Sequence, residues 1–413
     1  MTEKSAAMGV TFDDIEDAAR ALAGAVVATP TLPARRLDAM VGAPVTLKLE
    51  CRQYTGSFKD RGALNKLRKL DAAARAKGVV ACSAGNHAQG VAHHASRLGI
   101  RAIIVMPKAT PFTKAEQTKR LGAEVVLQGD DLNQALDHAD RLVRERGLTF
   151  IHPYDDPAIV AGQGTAALEM LRAAPELDCL VVPIGGGGLI AGSAIAAQAL
   201  KPGIEIFGVE SALYPSMRQA IAGETPHAGG STIAEGIAVK RPGALTRPII
   251  EERVKEILLV DEDALERAVL AMAEQEKLVV EGAGAAGLAA LLAYPERFQG
   301  RRVGLIVSGG NIDSRVLASI LMRGLAREGR LARLRIEISD APGVLARVAG
   351  LIGRLGGNIV EVYHQRLYYD VPVTMTDLDV VVETRNQQHV DEILASLAAE
   401  GFTARLLSAT GKG

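Results

Sequence analysis

Residues 179–200 read CLVVPIGGGGLIAGSAIAAQAL, and how this stretch folds decides the class of the whole chain. It carries no charge and is long enough to imitate a membrane span. Pro183, the run Gly185-Gly186-Gly187-Gly188 and Gly192 count against that reading. A buried strand, a glycine loop and a helix accommodate all of them better than one spanning helix does. Consecutive glycines let a backbone approach an anion without Cβ clashes. Their N–H groups, with the positive end of the following helix, can hold a phosphate. A strand-to-helix turn with no ligand is the bland alternative. Four glycines exceed what such a turn requires, because each adds to the entropy lost on folding.

On either side of this loop, short apolar runs alternate with longer amphipathic ones. Strands are predicted at 45–49, 79–82, 102–105, 124–127, 179–183, 205–209, 256–259 and 303–307. Helices are predicted at 61–77, 131–146 and 262–276. The strands are rich in Val, Ile and Leu on both faces, as in a parallel sheet covered by helices. This rhythm predicts an α/β fold. Thr11 is expected to cap the first helix, with Asp14 three positions on.

The pattern changes near Arg323. Residues 324–333 are short, charged and glycine-containing, and read as a linker. Beyond them come strand 334–338, helix 342–355, strands 359–366 and 378–383, helix 389–400 and strand 402–406. That order is βαββαβ, the ferredoxin-like split arrangement. Asp340 suits a helix N-cap, and Gly356-Gly357 suits the stop of that helix. The expected organisation is a catalytic region at 1–323, with a smaller lobe at about 50–150, and a C-terminal module at 334–413.

Composition narrows the function. The 413 residues hold 47 Lys+Arg against 48 Asp+Glu, so there is no basic footprint for nucleic acid or an anionic membrane. With 3% aromatics and no Trp, the core must be mostly aliphatic. Cys51, Cys82 and Cys179 form no CxxC, and scattered cysteines suit a reducing cytosol. Residues 1–9 lack an apolar run and are soon followed by Asp13, Asp14, Glu16 and Asp17. No signal peptide is expected, and the location expected is cytoplasmic.

The glycine loop alone leaves two chemistries open. Gly186-x-Gly188-x-x-Ala191 fits a dinucleotide fingerprint, with Glu210 near the expected acidic position, so an NAD-dependent dehydrogenase is a rival. No Walker lysine follows the glycines. A second segment, Ser57-Phe58-Lys59-Asp60-Arg61-Gly62-Ala63, sits where a loop enters a helix. The positive end of a helix favours the neutral form of a lysine, and a neutral amine is what forms a Schiff base.

Four segments occur in order: Ser57 to Ala63, Ser83-Ala84-Gly85-Asn86-His87-Ala88-Gln89-Gly90, Gly185 to Leu189, and Ser308-Gly309-Gly310-Asn311. Together they resemble the threonine and serine dehydratases of the tryptophan-synthase-β fold group, pyridoxal-phosphate (PLP) enzymes, over about residues 10–320. A nicotinamide enzyme explains only one of the four.

The resemblance implies Lys59 as the Schiff-base lysine and as the base for the substrate's Cα proton. Phe58 would pack on the cofactor ring, and Asn86 would bond its phenolic oxygen. Gly185, Gly186, Gly187, Gly188 and Leu189 would grip its phosphate, Gly236 would lie close to it, and Ser308 would meet its ring nitrogen. Ser83, Ala84, Gly85, Asn86 and His87 would receive the amino-acid substrate, and Glu281 is a further pocket candidate. The expected reaction is β-elimination on L-threonine, and on L-serine by the same path. The alternatives are a related hydroxy-amino-acid lyase (3-hydroxyaspartate dehydratase) or a serine racemase. Racemases of this group carry a serine where this chain has Ala84, and an acidic residue near position 216 for a divalent metal, where this chain has Ser216. No metal is therefore expected; His87, His93 and His94 form no HExxH.

The C-terminal module resembles an ACT regulatory domain through Asp340-Ala341-Pro342-Gly343-Val344-Leu345 and Gly357-Asn358-Ile359. This implies an amino-acid effector near Gly343 and Asn358, allosteric control, a homodimer or homotetramer, and a place in isoleucine biosynthesis. An RNA-binding module shares the topology, but its aromatic strand is missing.

Overall fold

The computed structural model describes residues 9–225, 227–365 and 375–407. Residues 1–8, on which the leader reading rests, Arg366 at the end of a predicted strand, and the 408–413 tail of the C-terminal module lie outside the described residues. The chain divides into two units, Met1–Ile312 and Asp313–Gly413.

The first unit contains β1 (Thr31–Pro33), β2 (Val45–Lys48), β3 (Val79–Cys82), β4 (Ala102–Met106), β5 (Glu124–Leu127), β6 (Thr149–Phe150), β7 (Cys179–Pro183), β8 (Glu205–Ser211), β9 (Glu256–Val260) and β10 (Val303–Ile306). They form a six-stranded sheet, β1-β2-β10-β7-β8-β9, and a four-stranded sheet, β5-β4-β3-β6. Every pairing is parallel except that of β1 with β2. Strands β3, β4 and β7 are buried at every residue, which is why their sequences run apolar without alternation. The opening stretch folds as β7, a glycine turn and the helix Gly188–Leu200. Among the described residues no helix is long and apolar enough to cross a membrane.

Two features place the site. The glycine turn leaves β7 at the C-terminal end of the parallel sheet, where ligands gather in open α/β sheets. The helix Lys59–Arg68 is pressed against the helix Pro157–Ala173: a Cβ at Gly162 would fall 2.7 Å from Gly62 Cα and 2.8 Å from the Arg61 carbonyl oxygen. A largely buried ion network fixes its first turn. Arg61 donates twice to Glu50 (2.7 and 2.8 Å) and twice to Glu169 (2.7 and 2.8 Å), and Lys48 donates to Glu169 at 2.6 Å. Lys48, Glu50 and Arg61 are buried, and Glu169 partly so.

The helix predicted at 61–77 is two helices, Lys59–Arg68 and Ala72–Lys77. Asp71 restarts the second by accepting the Ala74 N–H at 2.8 Å, a capping signal hidden inside a continuous helical pattern. The Thr11–Asp14 capping box is formed as expected.

The second unit opens with the helix Ser314–Arg327, followed by β11 (Leu331–Ser339), the helix Val344–Arg354, β12 (Asn358–Gln365), β13 (Met375–Glu383), the helix Gln387–Ala399 and β14 (Thr403–Leu406). The sheet is antiparallel, in the order β12-β13-β11-β14. From β11 onward the order is βαββαβ, the arrangement of an ACT-like domain. Leu334, Ile336, Ile338, Val380 and Val382 line its core face against Val348, Ile352 and Ile393.

Two expectations are corrected here. The stretch 324–333 is not an extended linker: the helix runs through Gly324 to Arg327, Gly329 turns with φ +64°, and β11 begins at Leu331. The strand starts early because Ala332 continues the buried alternation of Leu334, Ile336 and Ile338. Asp340 does not cap the helix after β11; Gly343, in the left-handed region at φ +85°, is its N-cap and provides no side chain. Gly356, at φ +87°, does end that helix.

Candidate active site

Lys59 opens its helix, and its half-buried side chain points at the segment following β6, where Nζ donates to the Pro153 carbonyl at 2.6 Å. Burial pushes its amine down to about 8, although the charge of Glu281 pulls the other way. Its Nζ stands 5.1 Å from the centre of the Phe58 ring. The backbone on either side is clamped: Phe58 N–H donates to the Ser308 carbonyl at 3.0 Å, and Ser57 bridges to Gly309. Asp60, fully buried, accepts from Thr55 N–H (2.9 Å) and Thr55 Oγ1 (2.7 Å), which curls the loop into the helix.

Pro153 carries the site on to the glycine turn. The next residue, Tyr154, lays its ring over Gly186, so a Cβ there would lie 2.1–2.2 Å from three ring carbons. Its hydroxyl donates to the Arg241 carbonyl at 2.9 Å. Gly187 takes φ +95° and is the N-cap of the helix Gly188–Leu200. A Cβ at Gly188 would meet the Tyr154 carbonyl oxygen at 3.0 Å, and one at Gly185 the Gly236 carbonyl oxygen at 3.1 Å. The first-turn N–H groups of this helix have no acceptor within it. Leu189 is 4% exposed, with its side chain in the core, so only its backbone faces the turn.

Gly236 then leads to Glu281: a Cβ at Gly236 would lie 3.3 Å from Glu281 Oε1. Burial pushes the Glu281 carboxyl up to about 7, while the Asn86 bond lowers it. Asn86 donates to Glu281 at 2.7 Å and accepts from Asn311 Nδ2 at 2.8 Å. Gly85 is the N-cap of the helix Asn86–Arg97, so Asn86 is its first residue. Ser83 accepts the Gly85 N–H at 3.2 Å, and Ala84 packs against the core of the smaller sheet. His87 is buried, with Nε2 2.8 Å from the Ile151 carbonyl, and burial pushes its ring down to about 3, so it is neutral.

The structure thus gathers Lys59, Phe58, Asn86, Gly185 to Gly188, Gly236, Glu281 and Ser308 into one continuous wall. The residues fit a phosphate-bearing aldehyde cofactor. Anion-binding N–H groups lie where side chains are excluded, and an amine with a lowered pKa stands beside them. They fit a dinucleotide less well. Glu210, the acidic residue that reading needs, is buried and accepts from the N–H groups of Met217 (2.8 Å) and Arg218 (3.0 Å).

Residues 22–309 match the family model described as pyridoxal-phosphate dependent enzyme. The chain belongs to that family. This PLP-dependent enzyme is 40% identical over 400 residues to the L-threonine ammonia-lyase of Thermotoga maritima, covering 96% of this chain and 100% of the relative. Among solved structures it is similar to the threonine deaminase of T.th. (40% identity, TM-score 0.70, 73% of this chain and 99% of that one). It is also similar to maize serine racemase (36% identity, TM-score 0.72, 77% and 99%).

Sequence reasoning missed Pro153, Tyr154 and the partnership of Asn311 with Asn86. Asn311 ends the last of the four motifs, so that signal was present; the segment at 153–154 carries none. In the second unit, Gly343 has open space where a Cβ would be, and Asn358 donates to Glu383 at 3.0 Å.

Proposed function

We propose that this lyase removes water and then ammonia from L-threonine, giving 2-oxobutanoate, and converts L-serine to pyruvate by the same path. The observation that carries the reading is the half-buried Lys59 amine, held at 2.6 Å by the Pro153 carbonyl beside the glycine turn. The threonine assignment draws its support from the Thermotoga maritima relative, which is matched over its whole length.

Pyridoxal phosphate, once the substrate's amine had taken the place of the Lys59 amine, would supply an electron-withdrawing ring conjugated with the substrate's Cα and leave that lysine free as a base. The protein does the rest. Backbone N–H groups at Gly185 to Leu189 would hold the phosphate. The turn at Ser83, Ala84 and Gly85, opening the helix Asn86–Arg97, receives the substrate carboxylate, with His87 as its neutral, buried support. Lys59, with its pKa near 8, takes the Cα proton. Loss of that proton and of the β-hydroxyl yields water and an enamine, which tautomerises and hydrolyses to the 2-oxo acid and ammonia. Ser308 would meet the ring nitrogen with a hydroxyl, which would keep that nitrogen less protonated than an aspartate would and favour elimination over slower carbanion chemistry.

A racemase reading is favoured by the maize serine racemase match and opposed by Ala84, which has no proton to donate. D-serine formed from L-serine at a rate comparable to elimination decides for it. In the second unit, isoleucine or valine binding near Gly343 and Asn358 would regulate the enzyme. That regulation belongs to a homodimer or homotetramer acting in the cytoplasm in isoleucine synthesis.

The test pairs turnover with covalent trapping. Borohydride reduction of the loaded enzyme should join the cofactor to the Lys59 peptide, and Lys59→Ala should lose both the adduct and 2-oxobutanoate production. Retained turnover in that variant refutes the assignment.

A further inference from the structure

A side-chain amide is ambiguous until something fixes which end donates, and here the chain of bonds starts from a group that can only accept. The Thr55 carbonyl accepts from Asn311 Nδ2 at 2.7 Å. That bond sets the Asn311 amide with its nitrogen inward. The second hydrogen of the same nitrogen goes to Asn86 Oδ1 at 2.8 Å. The Asn86 oxygen is thereby fixed, and its nitrogen faces Glu281 Oε1 at 2.7 Å. Oε1 accepts at that position, any proton on this carboxyl then lying on Oε2, so both neighbours select the same orientation. An NH2 group has two hydrogens; Glu281 takes one, and the second is left for a ligand. Gly309 closes the arrangement: a Cβ there would lie 2.3 Å from Glu281 Oε1 and 3.2 Å from Asn86 Nδ2, so no side chain can stand between them.

We propose that Asn311 is a positioning residue that polarises the Asn86 amide, so that Asn86 presents a donor, never an acceptor, to the oxygen of the bound cofactor. The proposal rests on the reading of Lys59 and Asn86 as cofactor residues and extends it to a residue that acts through Asn86. The order of bonds is Thr55 carbonyl, Asn311, Asn86, Glu281, with one direction of donation throughout.

Asn311→Asp tests it in the loaded enzyme. Aspartate offers only acceptors, so the Asn86 amide turns round and its oxygen faces the cofactor. The expected result is a visible absorption band displaced from that of the wild type and pyridoxal phosphate affinity weaker by about tenfold or more, the scale of one hydrogen bond to a charged group. The double variant Asn311→Asp with Glu281→Gln gives the turned amide a donor again. It should recover part of the lost thermal stability while keeping the displaced band and weak affinity. Recovery of all three together would mean that Asn311 is a structural staple, and overturns the proposal. Asn311→Ala is the milder variant should the aspartate not fold, with smaller changes of the same sign expected; an unchanged band and affinity overturn the proposal there too. Borohydride trapping on Lys59 separates the two layers. Absence of the adduct in the wild type removes the underlying reading, whereas a normal adduct with unaltered spectra in the Asn311 variants removes this proposal alone.

Discussion

Replacing Gly186 by alanine asks one methyl group to enter space already filled by an aromatic ring. The new Cβ would lie 2.1 Å from Tyr154 Cγ and 2.2 Å from Cδ1 and Cδ2. Carbon atoms in contact prefer separations of about 3.5 Å or more, so the ring must retreat by about 1.4 Å. It is poorly free to do so. Its hydroxyl is tied to the Arg241 carbonyl at 2.9 Å, and its own N–H donates to His152 Nδ1 at 3.2 Å. Overpacking of this kind costs about 1–3 kcal/mol. If the strain falls on the loaded state, cofactor affinity drops by about tenfold to a hundredfold, each tenfold step being about 1.4 kcal/mol. Titrating cofactor-free protein with pyridoxal phosphate and following the visible band measures this directly. A companion variant, Gly186→Ala with Tyr154→Ala, removes the obstacle and should regain most of the affinity. Wild-type affinity together with wild-type thermal stability in the single variant would refute the argument, because the turn would then have slack that the contacts deny.

Three further outcomes are expected. Arg61→Met leaves the carboxylates of buried Glu50 and partly buried Glu169 without their shared cation and should destabilise the catalytic unit by about 3–5 kcal/mol in denaturant melts, with a loss under about 1 kcal/mol counting against the network. Glu281, with its carboxyl raised to about 7 in the fold, holds a proton that the unfolded chain has already released above its ordinary value. Its contribution to stability is complete below that ordinary range and fades as pH rises through about 7, so melting temperatures of cofactor-free Glu281→Gln should fall less across that window than those of the wild type. A chain ending at Arg330 lacks every strand of the second unit and should keep threonine turnover while losing its response to isoleucine or valine; an unchanged response rejects control through that unit.

What the sequence disclosed, and what it withheld, follows from the distance over which each feature is determined. The glycine turn, the Lys59 loop entry and the strand spans depend on neighbours a few positions away, and their periodicity and composition announce them. Helix ends were less legible. Asp71 looked like one more polar face residue in a continuous pattern, and Asp340 resembled a cap that Gly343 supplies through its backbone alone. The smaller sheet, β5-β4-β3-β6, falls within the lobe expected at about 50–150, but the pairing of β2 with β10 across most of the unit could not be read. The same holds for the Pro153 carbonyl. A backbone oxygen has no residue signature, and only the folded path of the chain brings it to within 2.6 Å of Lys59 Nζ. Asn86 lies in a legible motif, yet its partners lie 195 and 225 positions away, beyond any local pattern.

The pairing of β2 with β10 also writes an order of events into the protein's synthesis. Ser57 meets its bridge partner Gly309, and Thr55 meets Asn311 across 256 positions of chain. A ribosome that has not yet added residues 309–311 holds a nascent polypeptide in which the loop before the lysine lacks these partners. Any step that needs the loop before Lys59 held in place therefore waits for residues 309–311, long after the lysine itself has been made.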